Sequence, residues 1–93
     1  MNLERPIVLI GAGGHACVVA DACERGGLAV AGYLAPQPAG RTMAELPRLG
    51  DDGRLDDAAF VQAHRFLIAL GDTGLRCRVG GRLEWVRADL ATV

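Results

Sequence analysis

The first residues to show a pattern are Pro6-Ile7-Val8-Leu9-Ile10, an unbroken apolar run ended by glycine. A run without polar alternation predicts a strand buried on both faces of a parallel sheet, hence a central one. Beyond the glycines, Ala16, Val19, Ala20 and Cys23 recur at i, i+3, i+4 and i+7, with Asp21, Glu24 and Arg25 off that stripe. This spacing predicts an amphipathic helix of about 11 residues, stopped by Gly26-Gly27. Residues 28–34 are apolar again and include Val30 and Tyr33. They follow a crossover of the length a right-handed βαβ unit needs, so the first two strands are expected to be parallel neighbours.

Residues 35–41 carry two prolines and a glycine and read as a loop. Residues 45–49 read as a short edge strand, because Pro47 cannot donate to a ladder. Within 51–63 a polar turn precedes Leu55, Ala58, Ala59 and Val61, the spacing of one short amphipathic helix. Arg65-Phe66-Leu67-Ile68-Ala69-Leu70 is a second buried run, ending in Gly71-Asp72. Leu75, Val79 and Leu83 then repeat at i+4 on a helix that Asp72 or Thr73 is placed to cap, and Gly80-Gly81 is expected to weaken it or end it early. Residues 86–93 mix polar and apolar positions and are expected to add one last strand. The fold class is therefore α/β: a small Rossmann-like domain with a mostly parallel twisted sheet flanked by helices.

Length sharpens this picture. Ninety-three residues suit one core and leave no room for a second, catalytic domain. Half of them are apolar (51%), but only 4% are aromatic, which favours thin helices packed on a small sheet over a deep aromatic pocket. Ten basic and eleven acidic side chains give a net charge of -1 without a basic stripe, so nucleic acid is not an expected partner. The early apolar run is far shorter than the roughly 20 residues of a membrane span and lacks a signal-peptide layout, so a cytoplasmic location is expected. Cys17, Cys23 and Cys77 show neither disulfide nor metal-ligand spacing and are expected to be reduced core thiols.

The segment with chemical content is Gly11-Ala12-Gly13-Gly14-His15-Ala16, which leaves a buried strand and opens a helix. Glycines there let the backbone approach a ligand, while the helix start offers amide hydrogens and a positive dipole end to phosphate. The plainer reading is that they only permit tight strand-to-helix packing. His15, in the first helical turn, is a donor suited to an anion. A dinucleotide site would need an acidic residue about 20 positions later. Between Glu24 and Glu45 there is no Asp or Glu, and Arg41 is the one candidate for a 2′-phosphate.

In an open parallel sheet the ligand crevice lies where the strand order reverses, so the turns after the two buried runs should face one another. The second turn is Gly71-Asp72-Thr73-Gly74, with Arg76 placed to offer a guanidinium to the same anion. His64 has no Ser, Cys or carboxylate in relay with it, so no catalytic residue is assigned. Trp85, lacking a second aromatic, reads as packing rather than a stacking platform.

Taken together, Ile7 to Ala16, then Val18-Val19-Ala20-Asp21, Gly32-Tyr33-Leu34, and Ile68-Ala69-Leu70-Gly71-Asp72 followed by Arg76, resemble a known family over nearly the whole chain. It is the N-terminal domain of the sugar O-acyltransferases, which include sialic acid acetyltransferases, and of the bacillosamine-pathway amino-sugar N-acetyltransferases. In that family the Rossmann-like domain holds the acceptor, typically a UDP-linked 4-amino sugar. A following left-handed β-helix binds acetyl-CoA, supplies the catalytic histidine and builds a homotrimer.

The resemblance implies that residues 1–93 are the acceptor-binding domain, with the β-helix and its acetyl-CoA lying outside this chain and no cofactor bound within it. It also implies that Gly11, Gly13, Gly14 and His15 embrace the acceptor's phosphate and sugar, with Gly71, Asp72 and Arg76 on the opposite lip. Ala35 and Pro36 stand where family members place the acidic residues that read the nucleobase. Two other readings of the same glycines stay open, an NAD(P)-binding module of an oxidoreductase and a non-catalytic scaffold or regulatory domain.

Overall fold

The computed structural model of the protein describes residues 5–11, 14–37, 46–69, 73–85 and 89–90. Strand β1 (Ile7–Ile10) is followed by helix α1 (Gly14–Arg25), β2 (Val30–Leu34) and β3 (Arg48–Gly50). A 3-10 helix (Asp52–Asp56), α2 (Ala58–Ala63), β4 (Arg65–Ile68), α3 (Thr73–Trp85) and β5 (Asp89–Leu90) complete the order. The strands form one five-stranded sheet in the order β3-β2-β1-β4-β5, and every pairing is parallel. β1 lies at its centre, as its unbroken apolar run requires.

Each face of the sheet has its own core. On one face Ile7 and Leu9 pack with Ala16 and Cys23 of α1, Tyr33, Ala35 and Ala69, and Leu46 joins from the connection before β3. On the other, Val8, Ile10 and Phe66 pack with Leu55 of the 3-10 helix, Phe60 and Val61 of α2, and Leu83 of α3. This division follows from a single crossover hand. The crossover through α1 moves from the centre towards β2, while those through α2 and through α3 move the opposite way. Crossovers of one hand that travel in opposite directions must lie on opposite faces.

Several local expectations are corrected. The segment 51–63 is two short helices rather than one, because Asp57 ends the first and starts the second. Its amide donates to the Arg54 carbonyl, and its side chain accepts from the amides of Ala59 (3.1 Å) and Phe60 (3.2 Å). That break rotates Ala58 and Ala59 into solvent and brings Phe60 into the core with Val61.

Helix α3 runs through Gly80-Gly81 to Trp85 instead of ending there. Leu83 is fully buried beyond the glycines, Val79 packs in the same cluster, and Arg82 reaches Asp56 at 2.8 Å. Tertiary contacts therefore outweigh the roughly 1 kcal/mol that each glycine costs a helix. Of the cysteines only Cys23 is a core thiol, while Cys17 and Cys77 are exposed on the outer faces of α1 and α3. Trp85 is 84% exposed, a surface residue.

The end of α1 is fixed by Gly27, whose φ is +76°. The Gly27 amide donates to the Glu24 carbonyl (3.1 Å) and the Leu28 amide to that of Cys23 (2.9 Å), the paired bonds of a Schellman cap. Leu28 and Cys23 then pack in one cluster, which turns the chain back towards β2. A Cβ on residue 27 would meet nothing within 4 Å, so the cost of adding one is conformational alone. Gly27→Ala is expected to lower stability by about 1–2 kcal/mol in urea denaturation.

Candidate functional site at the carboxyl ends of the strands

The carboxyl ends of four strands are tied side by side by a row of backbone hydrogen bonds. The Ala35 amide donates to Gly50, the Gly11 amide to Leu34 and the Ala69 amide to Ile10, each at 2.9 Å. Ile10 of β1 lies in register with Ile68 of β4. From these two neighbouring ends the chain departs in opposite directions, into α1 over one face and α3 over the other. The strand order reverses between them, and this is the place where open α/β sheets hold ligands.

Both helices begin just past the strand ends, α1 at Gly14 and α3 at Thr73. Amides of a helix's first turn have no acceptor within the helix, and the dipole's positive end lies there. Two such ends flanking one strand-order reversal are the arrangement that suits a phosphate-bearing ligand in open α/β sheets.

The structure places Gly14 and His15 as the first two residues of α1, and Arg76 in the first turn of α3. Gly11 takes φ +128°, a conformation that favours glycine. Its amide belongs to the sheet through Leu34 at 2.9 Å, so Gly11 contributes a bend and a missing side chain at this turn and no free backbone donor. Gly13, Gly71 and Asp72 lie outside the described residues, as does Arg41.

His64 sits at the opposite, amino edge of the sheet. Its Nδ1 lies 2.8 Å from the Phe60 carbonyl and its ring 4.6 Å from that of Phe60, so it finishes α2 and packs there. Arg65, next to it, donates from Nε to the Arg5 carbonyl at 3.1 Å. Burial pushes the Cys23 thiol up, with the Arg65 charge pulling the other way, and the group behaves as a neutral packing thiol at pH 7.

One residue at the carboxyl edge was not singled out by sequence reasoning. Arg48, the first residue of β3, donates from Nε to the Ala35 carbonyl (2.9 Å) and from Nη2 to the Pro36 carbonyl (3.1 Å). It therefore holds the backbone just where the chain leaves β2. Among the described residues no group of three His, Cys, Asp or Glu is placed to hold a metal ion, and no helix is long and apolar enough to cross a membrane.

Comparison with known proteins agrees with this arrangement. None of the curated protein sequences compared with the chain matches it. Among solved structures, a mutant of perosamine N-acetyltransferase from Caulobacter crescentus, in complex with CoA and GDP-perosamine, is 31% identical with a TM-score of 0.77. The superposition covers 89% of this chain and 39% of that one. PerB from the same organism, also with CoA and GDP-perosamine, is 30% identical over the same shares of the two chains, with a TM-score of 0.73. This chain thus spans about two-fifths of the length of those enzymes. The sequence profile of the PglD N-terminal domain matches residues 6–83, which takes in β1 through Leu83 of α3, and the chain belongs to that family.

Proposed function

We propose that this chain is the acceptor-binding N-terminal domain of an acetyl-CoA-dependent acyltransferase whose acceptor is a nucleotide-linked amino sugar. The observation that carries the reading is the strand-order reversal between β1 and β4 with a helix beginning beyond each strand, in a chain of this family. Gly11, Gly13, Gly14 and His15 bear on the phosphate and sugar from the β1 side. Gly71, Asp72 and Arg76 close the crevice from the β4 side.

The solved relatives hold CoA together with a nucleotide sugar, which supports acetyl-CoA as the donor. In this reading the donor and the general base belong to a further domain outside these residues, a β-helix that also makes the parent enzyme a homotrimer in the cytoplasm. The base removes a proton from the acceptor amine as its nitrogen attacks the thioester carbonyl, and CoA leaves as the thiol.

Calorimetric titration of a nucleoside-diphosphate amino sugar into the chain should show binding, and titration of acetyl-CoA should show none. His15→Ala and Arg76→Ala should each weaken the sugar nucleotide by about tenfold or more, the usual worth of a hydrogen bond to a charged group. Binding of acetyl-CoA alone, or titrations that neither substitution changes, would leave the acceptor-binding assignment without support.

A further inference from the structure

We infer that Arg48 selects the nucleobase of the acceptor nucleotide, and that the base it selects is a 6-oxopurine; this rests on the acceptor-binding reading above. Three observations converge at the edge where a nucleotide anchored on the β1 turn would lay its base.

The first is a bulge. The Tyr33 amide bonds Pro47 and the Ala35 amide bonds Gly50, so two residues of β2 are matched by three of β3. Gly50 takes φ +135° to accommodate this. Bulges re-aim side chains at strand ends. Here the effect is that Arg48, at the start of β3, reaches the carbonyls beyond the end of β2.

The second is the way the guanidinium is used. Nε and Nη2 form its side-on edge, and that edge is engaged by the carbonyls of Ala35 and Pro36. The end-on edge, made by Nη1 and the second hydrogen of Nη2, keeps its donors among the described residues, and Arg48 is exposed. Two parallel donors held in a fixed plane suit a ligand with two adjacent acceptors.

The third is the charge of the rim. The sequence has no Asp or Glu from 25 to 44, so no carboxylate from the β2 exit can accept from a base N–H. Asp51, at the exit of β3, accepts from the Gly53 amide through its own side chain. Among the described residues the charged group at the end of β2 itself is therefore the Arg48 donor, while the exposed Asp51 and Asp52 lie beyond β3. Guanine and hypoxanthine present O6 and N7 as adjacent acceptors, whereas adenine offers a donor beside N7 and uracil has no such pair.

The test is calorimetry of GDP, IDP, 7-deaza-GDP, ADP and UDP against the chain and against Arg48→Met, which keeps an apolar stem and removes the fork. GDP and IDP should bind alike and about tenfold or more tighter than ADP, UDP and 7-deaza-GDP. In Arg48→Met, GDP should fall to the level of ADP, while ADP and UDP change by less than about twofold. Equal binding of GDP and ADP by the parent chain would overturn the inference. So would an Arg48→Met variant that weakens every nucleotide by one common factor, the mark of a clamp that only shapes the loop. If none of the five nucleotides binds, the acceptor-binding reading falls and this inference with it.

Discussion

Phe66→Ala should remove about 3–5 kcal/mol from the free energy of unfolding, the range for truncating a buried phenylalanine. Phe66 is fully buried in β4, in register with Val8 of β1 on one side and Leu90 of β5 on the other. Its ring lies 6.0 Å from that of Phe60 and shares a cluster with Leu55, Val61 and Leu83, so it is the point where α2, α3 and the 3-10 helix meet the sheet. The Phe60 ring beside it is already packed against the His64 ring (4.6 Å) and under the Arg54 guanidinium (4.1 Å), so it is not free to refill the space. A chain of this size is stable by about 5–14 kcal/mol in all, so a large part of its stability rests on one side chain. Urea denaturation with circular dichroism reads the loss directly. A decrease below about 1 kcal/mol would mean that the face carrying Phe66 collapses around the gap and is packed more loosely than the structure shows.

The sequence revealed those parts of the fold in which one local rule decides the conformation. β1 is an unbroken apolar run and β4 is apolar after its first residue, Arg65, and both are interior strands with little exposed surface. α1 follows the 3.6-residue stripe of Ala16, Val19, Ala20 and Cys23, and it stops where Gly27 can take a positive φ. The rest depends on distant partners. α3 passes Gly80-Gly81 because Leu83 finds a core and Arg82 the Asp56 carboxylate, both supplied from outside the helix. Asp57 could equally have been an internal polar residue of one helix, and only its bonds to Ala59 and Phe60 show that it separates two.

The same distinction holds for the candidate site. The strand, glycine turn and helix start at residues 7–15 are contiguous, so their pattern is legible. Two things were not. That the Gly11 amide is used by Leu34 depends on strand pairing, and that Arg48 reaches across to Ala35 and Pro36 depends on a bulge that no short window of sequence encodes.

Gly32→Val should separate β3 from β2, at a cost of about 2–4 kcal/mol from overpacking together with lost hydrogen bonds. Gly32 is buried in β2, and a Cβ there would run into the backbone carbonyl of Pro47 and come within 2.8 Å of Leu49 Cγ. The leucine has rotamers to try, but the carbonyl is part of the strand and already accepts the Tyr33 amide at 3.1 Å. Relief therefore requires the strand itself to move, which gives up the Tyr33–Pro47 and Ala35–Gly50 bonds and both bonds from Arg48. β1 and β4 pair on the far side of β2 and keep their partners, so the damage should be local. Amide hydrogen exchange should show Tyr33 and Ala35 losing protection while Leu9 and Leu67 keep theirs. On the inference that Arg48 reads the base, the variant should bind GDP and ADP alike, because the fork proposed to discriminate them is carried on the displaced strand. If Tyr33 and Ala35 stay as protected as in the parent chain, β3 tolerates the added side chain and the close approach at Gly32 is not what fixes Arg48 at the rim.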